Sequence, residues 1–168
     1  LKLIRGAVNK LHATLYMQGC WAAALEETAN MSSALKMPEA ESYSLESGIV
    51  KSMINTSFWN PSKKFYAYGM SKDPTFRSEA TVLPAVPLSF KFGDPEKARP
   101  VLEQLTSNAF STNWGTRIIR EDSPYFKPAG YHYGSVWPLF TGWTALAEYA
   151  YGNYPQGFFH IMTNLNIY

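Results

Sequence analysis

The stretch that decides the fold is YHYGSVWPLFTGWTALAEYA, residues 131–150. Apolar residues recur at helical spacing in its second half, at Leu139, Trp143 and Leu146. Its first half places two tyrosines, a histidine, a glycine and a Trp-Pro pair just before that helix. Proline suits the first turn of a helix because its missing N–H is not needed there. The stretch therefore predicts a helix that contains Trp137, Leu139, Trp143, Leu146 and Tyr149, with a ring-rich loop at its entry.

On the N-terminal side of this stretch, the chain reads as helix pairs joined by long loops. Residues Thr14 to Leu35 carry apolar positions at Leu15, Cys20, Ala23, Ala24, Met31 and Leu35, close to a 3.6-residue period. The other predicted helices run from Pro38 towards Trp59, within Ser78 to Asp94 between Pro84 and Pro87, from Pro95 after an Asp94 N-cap, and from Phe158 onwards.

The connecting segments predict short β excursions. FWNPSKKFYAYGM, residues 58–70, has a turn at Asn60-Pro61-Ser62 followed by strand-like alternation, which predicts an exposed excursion from the helices. Residues 113–130 are long, irregular and rich in Gly and Pro. Helix hairpins in series, with no fixed sequence repeat, favour an all-α fold that is part of an α/α toroid.

Composition narrows the class of protein. The net charge of +2 comes from interspersed charges of both signs, so neither nucleic acid nor an anionic membrane is expected as a partner. No apolar run is long enough to span a bilayer, and we expect a cytoplasmic protein. The histidines lie far apart and there is one cysteine, so no metal or cofactor is expected. Aromatic residues make up 15% of the chain, more than a core alone explains, which favours flat ligands.

The ends of the sequence predict a partial domain. Residue 1 begins on an apolar pattern, and Tyr168 stops within a helical one. We therefore expect residues 1–168 to be one partial domain, with oligomeric state left open.

The order of these segments resembles the C-terminal catalytic domain of six-hairpin glycosidases, in particular the glycogen-debranching (amylo-α-1,6-glucosidase-like) type. The matching stretches are LYMQGCWAAALEETANM, FWNPSKKFYAYGM, DPEKARPVLEQL and WGTRIIREDSPYFKPAGYHYGSVWP. The last is the most specific, running from Trp114 to Pro138. The resemblance implies an (α/α)6 toroid of about twelve helices with an active-site cup at one end, of which this chain supplies roughly half.

The resemblance also implies inverting hydrolysis of α-glucosidic linkages by a pair of carboxylates about 6.5–9.5 Å apart. In such enzymes the acid precedes the segment LYMQGCWAAAL, but no carboxylate occurs before Glu26. The base is expected past Tyr168, so this chain alone should be inactive. Glu121 and Asp122 are the acidic pair nearest the ring-rich loop; adjacent positions seldom face each other across a water, which favours a loop-cap role.

By the same resemblance, Tyr131, His132, Gly134 and Trp137 line the substrate site. Tyrosine and tryptophan offer ring faces to a pyranose, histidine offers a donor, and glycine permits a close backbone approach. The alternative is that His132 binds a local carbonyl and Trp137 belongs to the core.

Further substrate-binding candidates lie in other segments. Trp114 and Arg117 come next, with a salt bridge from Arg117 to Glu121 or Asp122 as the alternative. Trp59, Tyr16 and His12 complete the set, Trp59 having a core-plug alternative.

Three functions remain open from the sequence. The first is a glycoside hydrolase of the debranching type, acting on an oligo- or polysaccharide. The second is a non-catalytic glycan-binding relative. The third is another helical toroid, such as a terpenoid cyclase or a scaffold, and the lack of an Asp-rich metal-diphosphate motif counts against the cyclase.

Overall fold

The computed structural model describes residues 11–71, 79–128 and 130–166. Both predicted cut ends lie outside these residues. The helices of this part are α1 (Leu15–Ala34), α2 (Ala40–Ser57), α3 (Ala85–Ser89), α4 (Pro95–Leu105), α5 (Pro138–Ala150) and α6 (Tyr154–Leu165). The described part of the chain is therefore mainly helical, as predicted.

Short strands occupy the loops, as the sequence predicts, but Phe65 and Tyr66 in the predicted exposed excursion are buried because they pack into the core. The strands are β1 (Leu11–Thr14), β2 (Trp59–Asn60), β3 (Phe65–Tyr66), β4 (Gly69–Ser71), β5 (Ser111–Thr112) and β6 (Gly115–Thr116). They form three antiparallel pairs: β1 with β4, β2 with β3, and β5 with β6. In the first pair, Leu11 lies opposite Ser71 and Thr14 opposite Gly69.

The helices pack as hairpins side by side. α1 packs along α2, and α5 packs along α6. The short α3 lies between them, against both α1 and α5. The predicted hairpin of α3 with α4 is therefore not the main packing of α3.

The face that α1 buries differs from the predicted one. Leu15 is buried as expected, but Ala24, Met31 and Leu35 are exposed. The buried positions are Leu15, Gly19, Ala22, Leu25, Ala29 and Ser32, and most of them are small residues. Small side chains let neighbouring helices approach closely, which the spacing of the large apolar residues does not reveal.

Gly19 shows this close approach directly. A Cβ on Gly19 would lie 3.1 Å from the Cβ of Pro87, so α1 and α3 nearly touch at this point. A glycine in the middle of this helix predicts a close helix crossing, and the structure confirms it. Pro87 itself lies in the first turn of α3 rather than limiting it, because proline is tolerated at that position.

The start of α4 agrees with the prediction. Asp94 occupies the N-cap position and Pro95 the first helical position. The Asp94 carboxylate makes no capping hydrogen bond and instead lies 2.9 Å from Nζ of Lys97. Leu102 and Leu105 point into the core, as their spacing predicts.

Asn55 of α2 joins three segments. Its side-chain nitrogen donates to the Phe92 carbonyl at 2.7 Å. Its side-chain oxygen accepts from the Tyr66 hydroxyl and from the Asp94 backbone N–H, both at 2.8 Å. The amide thus fixes β3 and the connection from α3 to α4 against α2.

Within the described ranges, no helix is long and apolar enough to cross a membrane.

Candidate functional site

The predicted ring-rich loop lies directly before α5. Trp137 is the N-cap residue, with extended backbone angles, and its carbonyl accepts from the Thr141 N–H at 3.0 Å. Its indole nitrogen donates to the Tyr131 carbonyl at 3.1 Å and to the Ser135 hydroxyl at 2.9 Å. The loop therefore folds back onto the indole of Trp137, its last residue. The two hydrogen bonds fix the orientation of this indole.

Three rings of this loop form one cluster, which we call the aromatic wall: Tyr131, His132 and Trp137. The ring centroids of Tyr131 lie 4.4 Å from His132 and 4.8 Å from Trp137. His132 stacks on Trp137 at 5.7 Å with an interplanar angle of 25°. Tyr131 is 68% exposed, so the wall presents a ring to solvent.

The alternatives for His132 and Trp137 can be compared with this geometry. The Nδ1 atom of His132 is buried and has no hydrogen-bond partner among the described residues. Partial burial lowers the pKa of His132, which favours the neutral imidazole. Trp137 is only partly buried and packs against the core with one part of its ring system. It thus combines the core role with a position in the wall.

Gly134 makes a close approach, but to its own chain. A Cβ at this position would overlap the carbonyl oxygen of Lys127. The turn is closed by the Lys127 N–H, which donates to the Tyr133 carbonyl at 2.9 Å. Gly134 therefore shapes the loop that carries the aromatic wall.

Arg117 is engaged by neighbouring groups of the chain. Its guanidinium donates to the Asn108 carbonyl at 3.0 Å and lies 3.3 Å from the Glu121 carboxylate. The salt bridge considered as the alternative is thus present. Arg117 also pairs through its backbone with Val136, next to the aromatic wall. It holds the strand segment that lies beside the wall.

Trp114 lies at the tip of the β5–β6 hairpin and is exposed. The hairpin contacts the first turn of α5, where the Thr116 N–H donates to the Thr141 hydroxyl at 3.0 Å. Gly115, with a φ of 129°, has no room for a Cβ against the same hydroxyl. Trp114 and the aromatic wall are therefore both anchored at the start of α5.

Each carboxylate of the acidic pair, Glu121 and Asp122, forms an ion pair with an arginine. Glu121 pairs with Arg117, and Asp122 lies 2.8 Å from Nε of Arg120. Both carboxylates are more than half exposed on their side chains. The structure thus gives each of them a partner in the same loop, which favours the structural role.

The remaining candidates are spread over other segments. Trp59 packs edge-on against Tyr66 at 5.1 Å and contacts the core, as its core-plug alternative requires. Tyr16 lies in the first turn of α1, where burial, with a smaller effect from Cys20, raises the pKa of its hydroxyl. His12 lies in β1, and its side chain falls outside the described residues.

Three polar side chains form a largely buried hydrogen-bonded cluster that no sequence pattern predicts. We call this cluster the relay; its members are Glu148, His160 and Ser111. His160 of α6 and Glu148 of α5 are fully buried, with Nδ1 and Oε2 2.7 Å apart. The other ring nitrogen lies 2.7 Å from the hydroxyl of Ser111 in β5. An isolated Glu within TALAEYA and an isolated His within FFHIM are the available signals. The relay joins α5 and α6 to the hairpin that carries Trp114.

Burial determines the charge state of this relay. It raises the pKa of Glu148, although the hydrogen bond and the charge of His160 act in the opposite direction. The second carboxylate oxygen of Glu148 has no partner among the described residues. The neutral carboxylic acid is therefore favoured relative to an exposed glutamate.

Helix hairpins in series, with paired strands in the loops and a ring cluster before α5, define part of a six-hairpin glycosidase toroid. The chain belongs to the mannosylglycerate hydrolase MGH1-like glycoside hydrolase domain family, whose model matches residues 5–164. Comparison with curated proteins finds no match.

Solved structures show the same fold. A protein described as a sialidase superposes with a TM-score of 0.82 at 17% identity, over 94% of this chain and 16% of its own. The GH63 mannosylglycerate hydrolase from Thermus thermophilus, in complex with glucose, gives 0.78 at 14% identity, over 92% of this chain and 39% of its own. An uncharacterized conserved protein from the same organism gives 0.70 at 15% identity, over 88% and 36%. The chain thus spans less than half the length of the structures it resembles.

Proposed function

We propose that this chain forms the saccharide-binding wall of a glycoside hydrolase that acts on an α-linked glycoside. The observation that carries this proposal is the aromatic wall, in which the exposed Tyr131 ring stands on the fixed Trp137 ring at 4.8 Å. Family membership supports the hydrolase class and counts against a cyclase or a scaffold.

The wall has the chemistry that a sugar ring requires. The C–H face of a pyranose packs on an aromatic face, while its hydroxyl groups need donors and acceptors at the edge. The imidazole of His132, stacked on Trp137, offers its Nε2 atom as donor or acceptor according to the tautomer, because Nδ1 is buried. Trp114, exposed on the hairpin anchored to the same helix start, is placed in this proposal as a second ring for the substrate.

Hydrolysis with inversion needs an acid and a base about 6.5–9.5 Å apart. Glu121 and Asp122 are each paired with an arginine, so we propose that both catalytic carboxylates come from other parts of the whole protein. Arg117 then acts by positioning the loop, because its donors are engaged by that loop.

For the substrate, we propose an α-glucosidic linkage of the debranching type, in a short or branched glucan. A second candidate is a small mannoside such as mannosylglycerate. The family to which the chain belongs is named after a hydrolase of this compound, and a mannosylglycerate hydrolase is among the similar solved structures. A cytoplasmic location and the absence of nucleic-acid or membrane partners stay predictions.

The test compares two tyrosines with nearly equal exposure at opposite ends of α5. Tyr131 is 68% exposed in the wall, and Tyr154 is 62% exposed after the other end of the helix. In the full-length protein, Tyr131→Ala should raise KM about fivefold, because the loss of one stacking contact costs about 1 kcal/mol. Tyr154→Ala should leave KM unchanged.

Sugar release is measured with maltooligosaccharides, a branched α-glucan and mannosylglycerate. Release from the glucans supports the debranching proposal, and release from mannosylglycerate alone supports the second candidate. Binding without release would identify a non-catalytic glycan-binding relative. No binding of any of the three would overturn the saccharide proposal.

A further inference from the structure

A second concave site lies away from the aromatic wall. It is a cavity of about 480 Å³ between the β2–β3 hairpin, the last turn of α4 and the segment from Arg120 to Pro124. None of the three wall residues lines it. Its size falls within the range of small-molecule sites, roughly 300–1,000 Å³.

The polar groups of this cavity are held in place before any ligand binds. The Gln104 amide nitrogen donates to the carbonyls of Lys63 and Lys64, both at 3.2 Å. The Gln104 oxygen accepts from the Arg120 guanidinium at 3.1 Å. The Arg120 backbone N–H donates to the Ala80 carbonyl at 3.1 Å. Groups fixed in this way lose little further freedom when they bind a ligand.

Two polar atoms of the lining residues lack hydrogen-bond partners. Oε2 of Glu79 is buried and has none among the described residues. Nε of Arg120 is also buried and lies 2.8 Å from the Asp122 carboxylate, with which it forms an ion pair without hydrogen-bond alignment. A buried polar atom without a partner costs about 1–3 kcal/mol. The Glu79 oxygen can accept from a ligand hydroxyl, and the remaining guanidinium N–H groups of Arg120 can donate to one, which matches a ligand whose groups both donate and accept.

The charges of the cavity select the class of ligand. Among the described residues, the lining carries two cationic side chains, Lys63 and Arg120, and two anionic ones, Glu79 and Asp122, so this part of the lining has no net charge. Phe65 adds an apolar surface and is itself supported by Phe110, which stacks on it at 6.2 Å. A neutral ligand rich in hydroxyl groups meets all of these conditions, whereas a phosphate or a polyanion meets Glu79 and Asp122 unfavourably.

We propose that this cavity is a second saccharide subsite, which binds one or a few neutral sugar units through Glu79 and Arg120. Gln104 acts as a positioning residue, because its amide holds the Arg120 guanidinium and the β2–β3 hairpin. The identity of the ligand as a saccharide rests on the proposed function, whereas the choice of the binding residues does not. Because the two sites share no lining residue, each can be removed without altering the other.

The test measures maltotriose binding by titration calorimetry in the full-length protein. In a Tyr131→Ala background, which weakens the wall, we expect residual binding. Glu79→Gln and Gln104→Leu, each added to that background, should weaken this residual binding at least tenfold. Glu103→Gln, an exposed neighbour on α4, is the matched control and should have no effect. Circular dichroism melts verify that each variant is folded.

The outcomes separate this proposal from the function of the wall. Residual binding that the cavity variants do not alter would overturn the subsite, as would the loss of all binding in Tyr131→Ala alone. Residual binding lost only in the cavity variants supports the subsite, even in a protein that releases no sugar. If Tyr131→Ala reduces hydrolysis but the cavity variants bind maltotriose as well as their background does, the subsite is rejected and the proposed function is kept. Arg120→Lys, which keeps the charge but loses the planar fork, should behave like Gln104→Leu.

Discussion

At the residue scale, the aromatic wall depends on two glycines that leave no space for a side chain. A Cβ on Gly134 would meet the Lys127 carbonyl, and a Cβ on Gly115 would meet the Thr141 hydroxyl. The first contact closes the loop that carries the rings, and the second seats the β5–β6 hairpin on α5. The geometry of the site thus begins with backbone packing.

Gly134→Ala should lower the free energy of unfolding by about 1–3 kcal/mol, the usual cost of an overpacked site. Gly48 in α2 is the matched control, because a Cβ there meets nothing within 4 Å. Gly48→Ala should raise stability by about 0.5–1 kcal/mol, since glycine is a poor helix former. Urea unfolding measures whether each variant lowers or raises the free energy of unfolding. Equal effects of the two changes would contradict the packing argument.

Glu148 makes stability depend on pH. Its pKa is raised above 4.5, so over the range between that value and the raised one the folded protein keeps a proton that the unfolded chain releases. Stability should therefore fall as the pH rises through this range. Glu148→Gln removes the titration and keeps the shape, so the stability difference between variant and wild type should shift in favour of the variant as the pH rises.

Thermal unfolding from pH 4 to pH 8 tests this dependence. Glu103→Gln, an exposed glutamate on α4, should give a curve parallel to the wild type. If the Glu148→Gln curve also runs parallel, then the carboxyl of Glu148 does not titrate differently in the folded state.

At the scale of elements, prediction from the sequence worked where local chemistry decides the structure. Pro95 at the first helical position and the turn at Asn60 placed α4 and the β2–β3 hairpin correctly, whereas Trp137, predicted within α5, lies at its N-cap. These signals act within one turn of the chain. The ring cluster could be predicted for the same reason, since Tyr131, His132 and Trp137 lie within seven positions of one another.

Prediction failed where the partner of a side chain is distant. The buried face of α1 is made of Gly19, Ala22 and Ala29, which apolar periodicity ranks below Met31 and Leu35. Only the close contact with Pro87 of α3 explains that choice. The relay of Ser111, His160 and Glu148 was missed because 49 positions separate its serine from its histidine. The Glu79 side of the cavity was missed for the same reason.

Substitution of Asn55 tests how the side chain of one residue stabilises the packing of several elements. Its amide bonds to Phe92, Tyr66 and Asp94, so Asn55→Ala leaves several polar groups without partners and should cost about 2–4 kcal/mol. Thr56→Ala is the matched control. Its hydroxyl bonds only to the Ser52 carbonyl within the same exposed helix, and its loss should change stability by less than about 0.5 kcal/mol.

Tyrosine titration gives a second measurement on the same variant. Burial, with smaller effects from Tyr151 and Asp94, raises the pKa of Tyr66 well above its ordinary value. Burial also raises the pKa of Tyr151 to about 12. In Asn55→Ala the segment around Tyr66 should loosen, so more tyrosine should ionise near pH 10. An unchanged titration would show that Asn55 does not fix this segment.

At the scale of the whole molecule, the row of helices exposes apolar side chains on both of its flanks. Met31, Leu45 and Ile49 are exposed on the α1–α2 hairpin, and Phe158 and Leu165 are exposed on α6. Contiguous exposed apolar surface on a folded protein marks a place of contact with other protein. In a toroid of hairpins, each hairpin packs between two neighbours, and these flanks have the composition that such packing needs.

Residues 1–168 produced alone should therefore self-associate as their concentration rises. Phe158→Ser combined with Leu165→Ser should reduce the association, measured by sedimentation velocity. Arg99→Ser, an exposed change on α4, is the control and should leave it unaltered. A monomer at all concentrations would show that these flanks do not drive association.

The pairing of β1 with β4 also sets an order of events during synthesis. The first residue of β4 follows the last residue of β1 by 55 positions, from Thr14 to Gly69. At roughly 5–20 residues per second, the ribosome needs about 3–11 s to add that length of chain. The α1–α2 hairpin is itself completed within this interval, at Ser57, so it lacks the strand that later pairs with β1 for about 0.6–2.4 s before Gly69 is added. During that time its exposed methionines and leucines are available to chaperones.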